Sequence, residues 1–193
     1  MGQELQEDGD LRLKRTIQDY AFLFGITALI VLLDQWSKFL VRTQLMVGET
    51  WAPWDWMLPY MRVIHAKNSG AAFGMFQGLG GIFTILAIVV TVVIIYYFPK
   101  VPREDWLLRL AMALQLGGAL GNLIDRIGQG GFVTDFISFG GFPVFNVADA
   151  SISVGVALMV FAMWYKESGN KSAGSASNLD KGDTQVQEEV QSD

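Results

Sequence analysis

Four long apolar runs divide this chain and constrain its fold more than any other feature. They extend over Tyr20 to Val41, Ile82 to Phe98, Leu107 to Ile124 and Ala150 to Tyr165. Each has about 16 to 22 residues, and at 1.5 Å per residue a helix of that length spans roughly the 30 Å hydrocarbon core of a bilayer. The sequence therefore predicts four transmembrane helices, and a charged fraction of only 17% is typical of a membrane protein.

The positions of Lys and Arg predict the orientation, because short segments rich in these residues stay in the cytoplasm. They concentrate in residues 1–19, at Lys100 and Arg103 between the second and third runs, and in residues 166–193. We expect both termini in the cytoplasm, with a four-helix domain over 20–165 and outward-facing segments 42–81 and 126–149. The polar tail 166–193 is expected to be disordered. A cleaved signal peptide is the alternative for the first run, although no small-residue cleavage pattern follows it.

The two outer segments carry strand signals. Residues 51–64 mix aromatic and β-branched residues with prolines, which predicts a short strand pair on the membrane surface. In the second segment two apolar arms flank Gly140-Gly141, which predicts a hairpin with a two-residue turn. That register places Asp135 opposite Asn146. The predicted fold is an all-α membrane protein with a small β element on its extracytoplasmic face.

Composition limits the chemistry that is available. The chain has no cysteine and one histidine, His65, which excludes thiolate catalysis and metal sites built from cysteine or several histidines. We therefore expect no metal and no cofactor. A net charge of -5 disfavours nucleic acid as a partner, because binding a phosphate backbone requires clustered Lys and Arg.

Polar side chains converge at one membrane face once this topology is applied. The outer ends of helices one, three and four and the hairpin supply Asp34, Lys38, Asn122, Asp125, Arg126, Asp135, Asn146 and Asp149. Ionisable groups at membrane depth are costly unless paired or wet, so these residues are candidates for a functional site.

Several of these residues also have structural explanations. Asp34 and Lys38 are spaced as a helical i, i+4 pair, and Asp125 beside Arg126 could close helix three as an ion pair. Asp149 is the residue type preferred as an N-cap for helix four. Asp135 has no such explanation, because no cation is near it in sequence and the predicted turn returns it to the start of helix four.

Two carboxylates held close together in a poorly solvated place share a proton. One can then act as a base toward water while the other donates to the developing oxyanion. This favours peptide hydrolysis by Asp135 and Asp149. A proton-coupled transporter using the same carboxylates is the alternative, but it would require titratable residues throughout the membrane depth. A non-catalytic assembly factor would leave the paired acids unexplained.

The chain resembles the lipoprotein signal peptidases (signal peptidase II), a family of bacterial intramembrane aspartyl proteases, over roughly residues 20–165. The resemblance lies in five blocks, Asp34 to Lys38, Asn68 to Gly74, Gly117 to Arg126, Val133 to Ile137 and Phe145 to Asp149. It implies a multi-pass protein of the bacterial inner membrane whose active site lies near the outer face. Two departures are visible: the link between the two aspartates looks short, and Thr134 stands where a β-branched aliphatic residue is common. We expect the Thr134 hydroxyl to bond to Asp135.

The resemblance also assigns roles. Asp135 and Asp149 would be the catalytic dyad, and Asn68 and Arg126 would contact substrate. The residues implied to support the site or the fold are Asn122, Asp125, Arg126, Asn146, Asp34 and Lys38. The implied substrates are prolipoproteins whose cysteine already carries diacylglycerol, cut just before that cysteine. We expect membrane lipids as further partners, a monomer, and inhibition by the cyclic peptide globomycin.

Overall fold

Four long helices form the body of the protein. The computed structural model describes the backbone of residues 2–70 and 78–190 and the side chains of residues 6, 9–70 and 78–168. The helices are α1 (Gly2–Gln44), α2 (Gly80–Tyr97), α3 (Trp106–Gly128) and α4 (Val147–Val190). Each contains a segment long and apolar enough to cross a membrane: Gly9–Gln44, Gly80–Lys100, Trp106–Gly128 and Val147–Ser168. The four predicted spans are confirmed.

All four helices begin before their apolar runs, and the differences are largest for α1 and α4. α1 continues to Gly2 because the leader is rich in Leu, Gln, Glu, Lys and Arg, which all favour helix. α4 begins at Val147 instead of Ala150, so Asp149 lies inside its first turn. Side chains after Ser168 lie outside the described residues, and the disorder expected for the tail stays a prediction.

α3 is the central helix, and small residues let its neighbours approach closely. It packs against α1, α2 and α4. A Cβ atom added at Gly117 would lie 2.7 Å from Ile30 Cβ on α1, and one added at Gly121 would lie 2.6 Å from Asp34 Oδ2. A Cβ at Gly118 would overlap the Ala148 carbonyl oxygen on α4. Such small-residue contacts are a common basis of helix packing in membranes.

The two segments predicted to face outward are joined in one antiparallel sheet of strand order β1-β2-β3. Its strands are β1 (Thr50–Trp51), β2 (Met61–Asn68) and β3 (Val133–Phe139). The β1-β2 pair confirms the strand pair predicted within 51–64. The β2-β3 pair was not predicted, and it sets Ala66 opposite Asp135 and Asn68 opposite Val133. Asn68 and Asp135 are therefore diagonal neighbours on one face of the sheet.

The predicted two-residue hairpin turn is wrong. Ile137 pairs with Phe145 in an isolated bridge, so the connection extends over residues 138–144. β3 uses its other edge to pair with β2, and Pro143 has no N–H to donate to a ladder. The longer loop still returns the chain so that Asn146 meets Asp135.

The apolar core lies at the opposite end of the bundle from the sheet. Six buried side chains from α1, the α2 end and α3 pack together there: Leu23, Ile94, Phe98, Met112, Ala113 and Leu116. This cluster fixes the three helices relative to one another, and it leaves their ends beside the sheet free to carry polar side chains.

Candidate active site

The helix ends that lie beside the sheet bring the predicted polar residues together. Less than a tenth of the surface is exposed for Asp34, Lys38, Asn122, Asp125, Asp135 and Asn146. Asp149 and Arg126 are half-buried, and with Asn68 and Asp135 they line a cavity of about 760 Å³. The side chains of Asp135 and Asp149 therefore face one common space.

Asp135 is held on β3 by two side-chain amides. Its Oδ1 accepts a hydrogen bond from Asn146 Nδ2 at 2.7 Å, and its Oδ2 accepts one from Asn68 Nδ2 at 2.9 Å. Burial raises the pKa of Asp135 to about 7, and the negative charge of Asp149 contributes in the same direction. The two amide hydrogen bonds act against this shift but do not cancel it.

Asp149 lies in the first turn of α4 and forms a reciprocal cap with Asn146. The backbone N–H of Asp149 donates to Asn146 Oδ1 at 2.9 Å, and that of Asn146 donates to Asp149 Oδ2 at 3.2 Å. This is a capping box in which Asn146 is the N-cap. The interpretation of Asp149 as the N-cap is therefore wrong, because the helix begins two residues before it.

Asn146 connects the two aspartates directly. It is fully buried, its Nδ2 donates to Asp135, and its backbone N–H and Oδ1 bond to Asp149. The same Nδ2 lies 3.2 Å from Asn122 Oδ1, while Asn122 Nδ2 donates to Asp149 Oδ1 at 2.7 Å. Two amides thus fix the position of the Asp149 carboxylate relative to β3.

Lys38 orients this pair of amides from α1. Its Nζ lies 2.8 Å from Asp34 Oδ2 and 3.3 Å from Asp125 Oδ2, with no exposed side-chain surface. It also donates to Asn122 Oδ1 at 3.0 Å, which turns the Nδ2 of that amide toward Asp149. Asp34 Oδ1 accepts the backbone N–H of Ala148 at 2.9 Å. The Asp34-Lys38 pair therefore connects three helices and is more than local support for α1.

The ion pair considered between Asp125 and Arg126 is not formed. Asp125 lies 3.3 Å from both Lys38 Nζ and Arg42 Nη1, and its Oδ2 accepts the backbone N–H of Thr134 at 2.9 Å. Consecutive side chains on a helix point in different directions, so Arg126 faces the cavity instead. Its guanidinium carbon lies 5.6 Å from the Phe83 ring centre. Within the described part of the chain, Arg126 Nε is buried without a hydrogen-bond partner.

Two further residues of the network were missed from the sequence. Gln35 Nε2 bridges Asp125 and the Gly121 carbonyl, and Arg42 bridges Asp125 and Thr134 Oγ1. The four-residue spacing from Lys38 could have indicated Arg42, because it continues the same helix face.

The bond predicted between Thr134 and Asp135 is wrong. Successive strand residues point to opposite sides of a sheet, so the Thr134 hydroxyl contacts Arg42 and Gln129 instead.

Away from the acids, the cavity becomes apolar and follows the helices. Leu86, Ala87 and Val90 of α2 line one side, and Ile152 and Val154 of α4 line the other. Both helices pack on α3. The site therefore combines a polar end, suited to activating water, with an apolar channel. No group of three or more His, Asp or Glu side chains among the described residues is placed to hold a metal ion.

Part of one predicted block cannot be compared with this geometry. Asn68 to Gly70 are in place, with Gly70 N–H donating to Asn68 Oδ1 at 2.9 Å. The remainder of the block up to Gly74 lies outside the described residues.

Known proteins resemble this chain over most of its length. The family model described as "Signal peptidase (SPase) II" matches residues 26–165. A lipoprotein signal peptidase from Halalkalibacterium halodurans is 41% identical over 145 residues, 73% of this chain and 91% of that protein. One from Anoxybacillus flavithermus is 40% identical over 152 residues, 77% of this chain and 89% of that protein.

A solved bacterial membrane enzyme has a similar fold, with a TM-score of 0.70 and 30% identity over 76% of this chain and 90% of its own. A second gives a TM-score of 0.65 at 31% identity over 73% and 91%. The likeness thus includes sequence and fold over nearly all of the membrane domain. This chain belongs to the signal peptidase II family, the lipoprotein signal peptidases, and is an aspartic protease of the membrane.

Proposed function

We propose that the chain removes signal peptides from diacylglyceryl-modified prolipoproteins, cutting before the lipidated cysteine, with Asp135 and Asp149 activating a water. The observation that carries this proposal is the link through Asn146, which bonds to both carboxylates at the polar end of one cavity. Family membership supports the substrate class, since the relatives are lipoprotein signal peptidases.

The summed charge of the site residues supports a proton shared between Asp135 and Asp149. The site holds four carboxylates and three cations: Asp34, Asp125, Asp135, Asp149, Lys38, Arg42 and Arg126. Lys38 and Arg42 directly face Asp34 and Asp125, which leaves the dyad with less compensation. One proton on the dyad makes the whole cluster neutral, and neutrality is favoured where solvent is scarce.

The environments of the two acids suggest their roles. Asp149 lies at the N-terminal end of α4, where the helix dipole favours a negative charge, so we assign it as the general base. Asp135, buried on β3, holds the proton. Asp149 removes a proton from the water as its oxygen attacks the scissile carbonyl carbon, and Asp135 donates to the carbonyl oxygen. When the tetrahedral intermediate collapses, the C–N bond breaks, the leaving nitrogen takes the proton held by Asp149, and one hydroxyl of the intermediate returns its proton to Asp135 as the C=O bond re-forms.

Two residues are placed to hold the peptide. Asn68 lies on β2 beside Asp135, so an extended chain crossing the sheet edge would pass its amide. Arg126 has a free Nε donor at the cavity and can bind a substrate carbonyl. We assign both to substrate binding. Asn122, Asp125, Asn146, Asp34 and Lys38 are assigned to positioning the dyad.

The proposed orientation places this site at the extracytoplasmic face of the bacterial cell membrane, with both termini in the cytoplasm. The lipid chains then lie in the apolar part of the cavity, among membrane lipids. A monomer is proposed as the working form.

The test is cleavage of a purified lipidated precursor, followed by gel mobility. Asp135→Asn and Asp149→Asn should each abolish cleavage, while Asp55→Asn, an exposed acid before β2, should retain it. Turnover by either dyad variant would refute the assignment. A proton-flux assay in liposomes tests the transporter alternative, and a flux lost in both dyad variants would favour it.

A further inference from the structure

Gln115 is a polar side chain at a largely apolar level of the cavity. It lines the space between α2 and α4 together with Val90, Ala119 and Ile152. On α3 it lies two turns from Asn122, about 10 Å along the helix axis toward the cytoplasmic end. An amide at that depth lies in the part of the cavity that we assign to lipid.

The protein gives this amide little to bond with. The hydrogen-bond partner of Gln115 Nε2 among the described residues is the sulfur of Met159, at 3.9 Å. A thioether is a weak acceptor, whereas a primary amide has two N–H donors and an acceptor oxygen. Leaving amide groups unsatisfied in hydrocarbon is costly, so the position favours a ligand that supplies an acceptor.

Packing against α4 fixes the position of the Gln115 side chain along the cavity. A Cβ atom added at Gly155 on α4 would lie 2.8 Å from Gln115 Cγ. A glycine at this point therefore makes room for the glutamine side chain between α3 and α4. Ser153 also lines the cavity, but its hydroxyl already donates to the Asp149 carbonyl oxygen at 2.9 Å. Gln115 is thus the better-placed donor at this level.

In the proposed substrate, an ester group lies about as far from the scissile carbonyl as Gln115 lies from Asn122, about 10 Å. In an S-diacylglyceryl cysteine, eight covalent bonds separate the scissile carbonyl carbon from the nearer ester carbonyl carbon. Extended, such a chain reaches about 10 Å at standard bond lengths. We propose that Gln115 donates a hydrogen bond to an ester carbonyl of the diacylglyceryl group, and so selects ester-linked lipid. This inference rests on the proposed function, because it takes the substrate from it.

The test compares binding of two peptides that differ only in the lipid linkage. One carries S-diacylglyceryl cysteine and the other S-dialkylglyceryl cysteine with chains of equal length, so the second lacks both ester carbonyls. Affinities are measured by fluorescence anisotropy in bicelles on the full-length Asp149→Asn variant, which should not cleave them. A protein with Gln115 should bind the diester about 2- to 10-fold more tightly than the diether, as expected for one hydrogen bond.

Gln115→Met, of similar length but without a donor, should bind both peptides equally. Met159→Leu is the matched control, because it removes the sulfur and keeps the amide, and it should retain the preference. An unchanged preference in Gln115→Met, or no preference with Gln115 present, would overturn the proposal. Loss of binding to both peptides in Gln115→Met and also in Gln115→Ala would show a packing role and would overturn it too.

Cleavage of the two matching precursors by the enzyme with its dyad intact separates this inference from the proposed function. If the diester peptide is preferred but no precursor is cut, the lipid contact stands and the proposed function fails. If both precursors are cut without a preference that depends on Gln115, the proposed function stands and this inference fails.

Discussion

Replacing Asp135 by asparagine should alter the pH dependence of stability as well as activity. Asp135 is 3% exposed, and its pKa is raised from an ordinary value of 3.8 to about 7, first by burial and then by the charge of Asp149. The folded state therefore binds this proton more tightly than the unfolded state. The resulting contribution to stability is fully present below pH 3.8 and is lost as the pH rises to about 7.

The size of this loss follows from the shift. At about 1.4 kcal/mol per pKa unit, the difference between 3.8 and about 7 corresponds to roughly 4 kcal/mol. Asparagine does not titrate, so the variant escapes this loss. It does lose one acceptor oxygen, since Asn146 and Asn68 both donate to Asp135, and this costs about 1–3 kcal/mol at every pH.

Asp135→Asn should therefore be less stable than the parent at pH 4 and more stable at pH 8, by about 1–3 kcal/mol in each case. The measurement is a reversible unfolding titration with SDS in mixed micelles at several pH values. Asp55→Asn corrects for the effect of pH on the micelles. If the stability difference between Asp135→Asn and the parent stays constant from pH 4 to 8, the reasoning about a desolvated Asp135 is refuted.

Three other predictions follow from the same geometry. Cleavage of a lipidated precursor should decline about tenfold per pH unit above about pH 7, where Asp135 loses its proton, and a flat profile to pH 9 would contradict its role as acid. Lys38→Met should destabilise the protein by about 3–5 kcal/mol in the SDS titration, because it leaves buried carboxylates unpaired; adding Asp34→Asn should restore part of this, and no recovery would count against the pairing. Gly118→Ala should cost about 1–3 kcal/mol, since its Cβ would overlap the Ala148 carbonyl oxygen, whereas Gly25→Ala has open space and serves as control; equal effects would contradict the close approach of α3 and α4.

The helices could be predicted because spanning a bilayer depends on local composition. A run such as Ile82 to Phe98 has no charge, and that alone defines a membrane helix. The β2-β3 pairing could not be predicted in the same way. Asn68 and Val133 are separated in sequence by two helices, and the register that joins them depends on tertiary contacts.

The residues that form the site could be predicted, but not which of them bond to one another. The predicted hairpin brought Asp135 near Asn146, and this contact is confirmed at 2.7 Å although the predicted turn was wrong. The partners of Asp125 could not be deduced from sequence, because its nearest cation in the chain, Arg126, points elsewhere. Lys38 and Arg42 reach it from α1 through helix packing.

The stability effects of the two halves of the site should have opposite signs at neutral to alkaline pH. Asp34 and Asp125 are compensated by Lys38 and Arg42, so their cluster holds α1, α3 and the start of α4 together. The dyad is not compensated in this way, and its position is imposed by that cluster through Asn122 and Asn146. Removing a charge from the cluster should destabilise the fold, while removing one from Asp135 at pH 8 should stabilise it. One unfolding assay on both kinds of variant therefore distinguishes Asp34 and Asp125, whose charges stabilise the fold, from Asp135, whose charge destabilises it.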